Sequence, residues 1–94
     1  MSEIVKEVNG SKGRFLYATT AGDAELTISI LSDTLVIADH TEVPRPLEGQ
    51  GIARKLLDAL LEDARANGYR IVPLCPYVNA QRRKHPEWAE LFSV

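Results

Sequence analysis

The segment from Gly51 to Asn67 constrains the chain most. Its apolar residues Ile52, Leu56, Leu60 and Ala64, flanked by Ala53, Leu57 and Leu61, form a broad stripe at helical spacing. Asn67-Gly68 then stops the helix with a pair suited to the left-handed conformation. The pattern on either side is β, with Thr34 to Val43 before the helix and Tyr69 to Cys75 after it. A strand, a crossover helix and another strand make a right-handed parallel unit. The two β segments should therefore lie side by side and run the same way.

Three further strands are expected upstream. Val5 to Val8 alternates apolar and polar residues, and Asn9-Gly10-Ser11-Lys12-Gly13 supplies a tight turn, so a hairpin begins the chain. Arg14 to Thr20 carries Phe15, Leu16 and Tyr17 and ends at Ala21-Gly22-Asp23. Glu25 to Leu31 puts Leu26, Ile28 and Ile30 on one face and Glu25, Thr27 and Ser29 on the other. Ser32-Asp33 turns the chain into Leu35-Val36-Ile37-Ala38, apolar on both faces as in a strand covered from both sides. Pro44-Arg45-Pro46 ends that strand, because proline lacks an amide donor and fixes φ. After Pro76, Val78 to Lys84 reads as a short helix and Pro86 to Leu91 as another turn. The order is ββββαβα in one domain of 94 residues, an α+β chain with a mixed sheet.

Composition removes several classes of function. A net charge of −2, with both signs mixed along the chain, provides no field for a long polyanion, so nucleic acid is not an expected partner. The dense run Arg82-Arg83-Lys84 is local and is followed by acidic Glu87 and Glu90. No apolar run approaches the ~20 residues that span a bilayer, so no membrane partner is expected. The single cysteine, Cys75, has no partner for an internal disulfide, and the N-terminal residues lack the pattern of a secretory signal. A reducing cytoplasm is the expected setting.

Chemistry is best placed where Glu48-Gly49-Gln50-Gly51-Ile52-Ala53 follows a strand and opens the long helix. The first turn of a helix leaves amides unpaired and concentrates partial positive charge, so it can hold a phosphate, and glycines let a ligand approach the backbone. The same glycines could also merely shape a loop. Three familiar sites do not fit. A P-loop needs Gly-Lys-Ser/Thr where Gly51 is followed by Ile52-Ala53. A dinucleotide fingerprint needs a small residue at Arg54 and an acid where Tyr69 and Arg70 stand. A zinc deaminase pairs His-x-Glu with Pro-Cys-x-x-Cys, but His40-Thr41-Glu42 is matched only by Leu74-Cys75-Pro76-Tyr77-Val78. No metal is expected.

The stretches His40-Thr41-Glu42-Val43-Pro44, Leu47-Glu48-Gly49-Gln50-Gly51-Ile52-Ala53, Val72-Pro73-Leu74-Cys75-Pro76-Tyr77-Val78 and Arg83-Lys84-His85-Pro86 closely resemble the small single-domain proteins of the GNAT N-acetyltransferase superfamily. The resemblance covers about residues 24 to 91 in the same order. It implies a minimal GNAT-like fold whose fourth and fifth strands splay apart around acetyl-CoA. It also implies a diphosphate held by the amides of Gly49, Gln50, Gly51, Ile52 and Ala53. Arg54, within one turn of the glycines, either meets the phosphates or, like Lys55, decorates the wet face of the helix. Arg45 and Lys55 are further cationic candidates. The superfamily's loop begins with Gln or Arg, but this chain has Glu48 there, so the backbone must supply the attraction. On the helix after the fifth strand, Arg83 stands near the place of the tyrosine that protonates the departing thiolate.

Acetyl transfer needs a neutral amine, a polarised carbonyl and a stable leaving thiolate. Glu42 is the first candidate base and His40 the second, and regular pleating would put both on one face. The resemblance makes the Val43 amide a donor to the thioester carbonyl. Cys75 is either a small buried hydrophobe or a covalent acyl acceptor. Tyr77 either protonates the thiolate or caps the core, and Asn79 either bonds the pantetheine amides or caps the following helix. His85 and Trp88 are expected to pack the C-terminal helices. The resemblance implies an N-acetyltransferase acting by direct transfer to an unidentified amine. A non-catalytic acyl-CoA-binding module is the alternative. The short link between the first two strands leaves the acceptor side open, so a bulky protein amine binds there, a second subunit completes the pocket, or transfer is inefficient. The acceptor is expected to be a small-molecule or protein amine. A monomer or weak homodimer is expected.

Overall fold

The computed structural model describes residues 4–94. The strands are β1 (Ile4–Asn9), β2 (Lys12–Thr19), β3 (Gly22–Ser32), β4 (Leu35–Glu42) and β5 (Arg70–Pro73). Helix α1 spans Ile52–Asn67 and helix α2 spans Pro76–Lys84, and short 3-10 turns occupy Arg45–Leu47 and Pro86–Leu91. The sheet order is β1-β2-β3-β4-β5, antiparallel from β1 to β4 and parallel between β4 and β5. This is the mixed sheet and the ββββαβα order that the crossover requires. Phe92 adds a single parallel bridge to Ile71 on the outer side of β5.

The stripe on α1 is buried as its spacing predicts. Ile52, Leu56, Leu57, Leu60, Leu61 and Ala64 face Phe15, Leu26, Ile28, Val36, Ala38 and Ile71 of the sheet. Each buried leucine stabilises the fold by ~1.5–3 kcal/mol relative to an exposed one. Gly68, at φ 73°, caps the helix, and its amide donates to the Ala64 carbonyl at 2.8 Å. The chain then returns directly into β5.

Two features of β4 differ from expectation. Leu35-Val36-Ile37-Ala38 is not covered on both faces: Val36 and Ala38 are buried, whereas Leu35 and Ile37 retain solvent contact. Pleating is also irregular, because Ile28 pairs with Ala38 but Thr27 pairs with His40, leaving Asp39 as an extra residue. Such a bulge shifts the alternation by one. Thr41 therefore joins Leu26 on the core side, while His40 and Glu42 lie opposite Thr27 and Glu25 on the other.

The β4–β5 ladder runs from Leu35↔Arg70 to Ala38↔Pro73, after which β4 continues to Glu42. Strand β5 ends at Pro73, earlier than the expected Cys75, and α2 begins at Pro76, earlier than the expected Val78. Proline explains both ends, since it cannot donate to a ladder yet suits the first turn of a helix. Cys75 keeps one link to β4, its amide donating to the Ala38 carbonyl at 2.8 Å.

Leu56 is 0% exposed and Leu31 is 58% exposed. Leu56→Ala should lower the unfolding free energy by ~2–5 kcal/mol, and Leu31→Ala should change it by no more than ~0.5 kcal/mol. Urea unfolding followed by circular dichroism measures both.

Candidate functional site

Where β4 ends, the chain folds back through the 3-10 turn Arg45–Leu47, anchored by buried Leu47. The Leu47 and Glu48 amides are consumed in that turn, donating to the Pro44 and Arg45 carbonyls at 2.9 and 3.1 Å. The next amide with a backbone acceptor is that of Lys55, which donates to the Gly51 carbonyl at 3.1 Å. Between them, the amides of Gly49, Gln50, Gly51, Ile52, Ala53 and Arg54 have no acceptor among the described residues. Six consecutive donors thus precede the first helical bond, at the end of α1 where the macrodipole is positive.

Glycine is needed here for backbone reasons. Gly49 and Gly51 have φ of 82° and 75°, values that side chains disfavour. A Cβ placed on either would meet no other atom within 4 Å, so the space in front of the loop is open. The loop lines a depression of about 190 Å³, closed by Val43 from β4's end, Arg54 from α1 and Tyr77 from α2. Glu48 also lines it and is exposed. The Gln50 side chain turns back to donate to the Pro46 carbonyl at 3.3 Å.

Around this depression the candidate residues divide into groups. The Val43 amide has no acceptor among the described residues. The Nε of Arg54 donates to Asp58 at 2.9 Å, which raises the guanidinium's pKa. Burial raises the pKa of the half-buried Tyr77 phenol, so it stays protonated near neutrality. Asn79 is inside α2 and does not cap it; Cys75 is the N-cap residue. The Asn79 side-chain oxygen accepts from Arg82 at 3.0 and 2.8 Å. Arg45 is exposed on its turn, and the Lys55 ammonium lies 5.9 Å from the Tyr17 ring centre.

His40 and Glu42 share a face, as expected, and both are exposed. Their face is opposite that of Cys75's neighbour Thr41. Cys75 is 1% exposed, and its sulfur lies 3.2 Å from the Thr41 hydroxyl. His85 stacks on Trp88 with ring centres 4.1 Å apart, the expected C-terminal packing. The sequence singled out neither Thr41 nor Asp58. Only the bulge brings the first inward, and Asp58 is marked solely by its four-residue spacing from Arg54.

A sequence profile of the GCN5-related N-acetyl-transferases matches residues 14–91, most of the chain. The chain belongs to the GCN5-related N-acetyltransferase family. It is similar to a GCN5-like protein of Staphylococcus aureus, whose solution structure matches with a TM-score of 0.69 and 27% identity over 99% of this chain and 91% of that one. The fold is also shared with the ribosomal-protein-alanine N-acetyltransferase of Brucella melitensis biovar Abortus 2308, with a TM-score of 0.61 and 18% identity. There the match covers 92% of this chain and 64% of that one. No curated protein matches significantly in sequence. Family membership makes the chain an N-acetyltransferase whose acceptor is open. Among the described residues no helix is long and apolar enough to cross a membrane, and no cluster of metal-binding side chains occurs.

The burial of Cys75 has a direct chemical consequence. Its thiol should react with Ellman's reagent far more slowly in the native protein than in urea. Equal rates in the two states would show that the sulfur is open to solvent.

Proposed function

We propose that the chain is an acetyl-CoA-dependent N-acetyltransferase that passes acetyl directly to an amine in a ternary complex. The six unpaired amides from Gly49 to Arg54, opening onto unobstructed space, carry this reading. They suit a diphosphate without a cationic side chain at position 48. The loop, Ile52, Ala53 and Arg54 would hold the phosphates, and Asn79 would meet the pantetheine arm. When bound, acetyl-CoA supplies an acetyl group activated as a thioester.

The chain's own groups then divide the work. Glu42 removes a proton from the acceptor ammonium, and His40, two residues before it on the same face, is the alternative base. The freed nitrogen would bond to the acetyl carbon as the carbon–sulfur bond breaks, and the second proton of that nitrogen would pass to solvent water at the open end of β4. The Val43 amide donates to the carbonyl oxygen as negative charge builds there. Tyr77, which lines the depression, would give its proton to the departing sulfur. Arg83 is exposed on α2 and takes no part in this scheme. The acceptor is a small-molecule or protein amine, reached from a side with only Gly10-Ser11 between β1 and β2. The protein works as a cytoplasmic single domain, a monomer or weak homodimer, with no nucleic acid or membrane partner.

CoA and acetyl-CoA should both raise the melting temperature, because a ligand at 100 times its dissociation constant adds ~2.7 kcal/mol. Gly51→Val should abolish that shift by blocking approach to the amides; an undiminished shift would remove the phosphate site. With an active acceptor in hand from a thiol-release screen of polyamines, amino acids and peptide amines, Glu42→Gln should lower turnover by ~100-fold or more. Its affinity for CoA should be nearly unchanged. Unaltered turnover would pass the base role to His40, and binding without transfer to any amine would favour the acyl-CoA-binding alternative.

A further inference from the structure

The turn after α2 reaches Arg54, in the first turn of α1 beside the glycine loop. Trp88, the chain's single tryptophan, is 7% exposed in the turn Pro86–Leu91. His85 stacks against it at 4.1 Å, with ring planes 16° apart. The guanidinium carbon of Arg54 lies 5.0 Å from the indole centre. Arg54 is thus held twice, by the indole and by Asp58, which accepts from Nε at 2.9 Å. Its Nη1 and Nη2 groups have no hydrogen-bond partner among the described residues.

Each contact contributes something different. An indole face attracts a guanidinium and supports its plane, and a carboxylate on Nε fixes rotation about the side chain's last bonds. The paired Nη edge then stays free, and that edge suits bidentate phosphate binding. Because Asp58 also offsets the charge of Arg54, the benefit is orientation more than added charge. A free arginine would lose side-chain entropy on binding. This one has already lost much of it.

We infer that Trp88 is a positioning residue of the acyl-donor site, holding Arg54 so that its free Nη edge serves the donor's diphosphate. This rests on the reading that the amides of Gly49 to Ala53 hold that diphosphate. The C-terminal turn thereby becomes part of the cofactor site and sets donor affinity.

Calorimetric titration with CoA tests this on the unaltered protein, Trp88→Leu, Trp88→Phe, Arg54→Ala and the double variant Arg54→Ala/Trp88→Leu. Trp88→Leu should raise Kd by about 3- to 10-fold, the equivalent of ordering one long side chain. Trp88→Phe, which keeps an aromatic face, should stay within about twofold of the unaltered protein. In the Arg54→Ala background, Trp88→Leu should add nothing. Trp88 emission should also change when CoA binds the unaltered protein and change much less in Arg54→Ala. That readout, with Trp88→Phe, decides the matter even if Trp88→Leu does not fold. An unchanged Kd in Trp88→Leu, additive losses in the double variant, or the same emission change without Arg54 overturns the role of Trp88 alone. Absence of CoA binding to the unaltered protein overturns the donor site itself and this inference with it.

Discussion

The parallel ladder between β4 and β5 stops at Ala38 and Pro73, and the geometry of the site depends on that stop. From Pro73 to Pro76 the chain has only two amides to offer. The Leu74 amide turns to the Val72 carbonyl at 3.0 Å, and the Cys75 amide makes the last link to β4 at the Ala38 carbonyl. The prolines on either side have none. Strand β4 therefore runs on to Glu42 after β5 has become helix, and the Val43 amide is left free at its end. A longer β5 would have taken up the β4 backbone that the site leaves open.

Helix α1 converts hydrophobic burial into an electrostatic device. Its six buried apolar residues fix the axis against β2 and β3, and so fix where its N-terminal amides point. No side chain caps that end, and Gly51 takes the cap position in the left-handed conformation. A serine or aspartate there would occupy one of the donors and stabilise the free helix by ~1 kcal/mol. Without such a cap, the donors of the exposed loop are left to solvent or to an external acceptor.

Much of the fold was legible because its signals are periodic. The stripe on α1 and the alternation from Glu25 to Leu31 predict their elements, and the crossover through α1 from β4 to β5 predicts the parallel pair. The loop between β4 and α1 was legible from its position between strand and helix, and its glycines do take positive φ. The bulge at Asp39 was hidden, because Leu35 to Ala38 is apolar at every position and carries no alternation from which a slip could be read. Asn79 looked like a helix cap because Pro76 was read as an end, whereas it is the first helical residue. The pairing of Arg54 with Trp88 joins residues far apart in sequence, where no local pattern exists to find it.

The bulge also bears on the route of transfer. By shifting the alternation at Asp39 it puts His40 and Glu42 on the face open to solvent and turns Thr41 inward onto Cys75. A base and a thiol that worked as a nucleophilic pair would need to meet, because the thiolate is the reactive species and a partner must take its proton. Here the strand separates them onto opposite faces, and the sulfur's near neighbour is a hydroxyl that cannot act as a strong base. Direct attack asks for less: a carboxylate facing an incoming amine and an amide free to meet the carbonyl oxygen. Glu42 and Val43 are adjacent in the chain at the open end of β4, so under the proposed function one strand terminus would supply both.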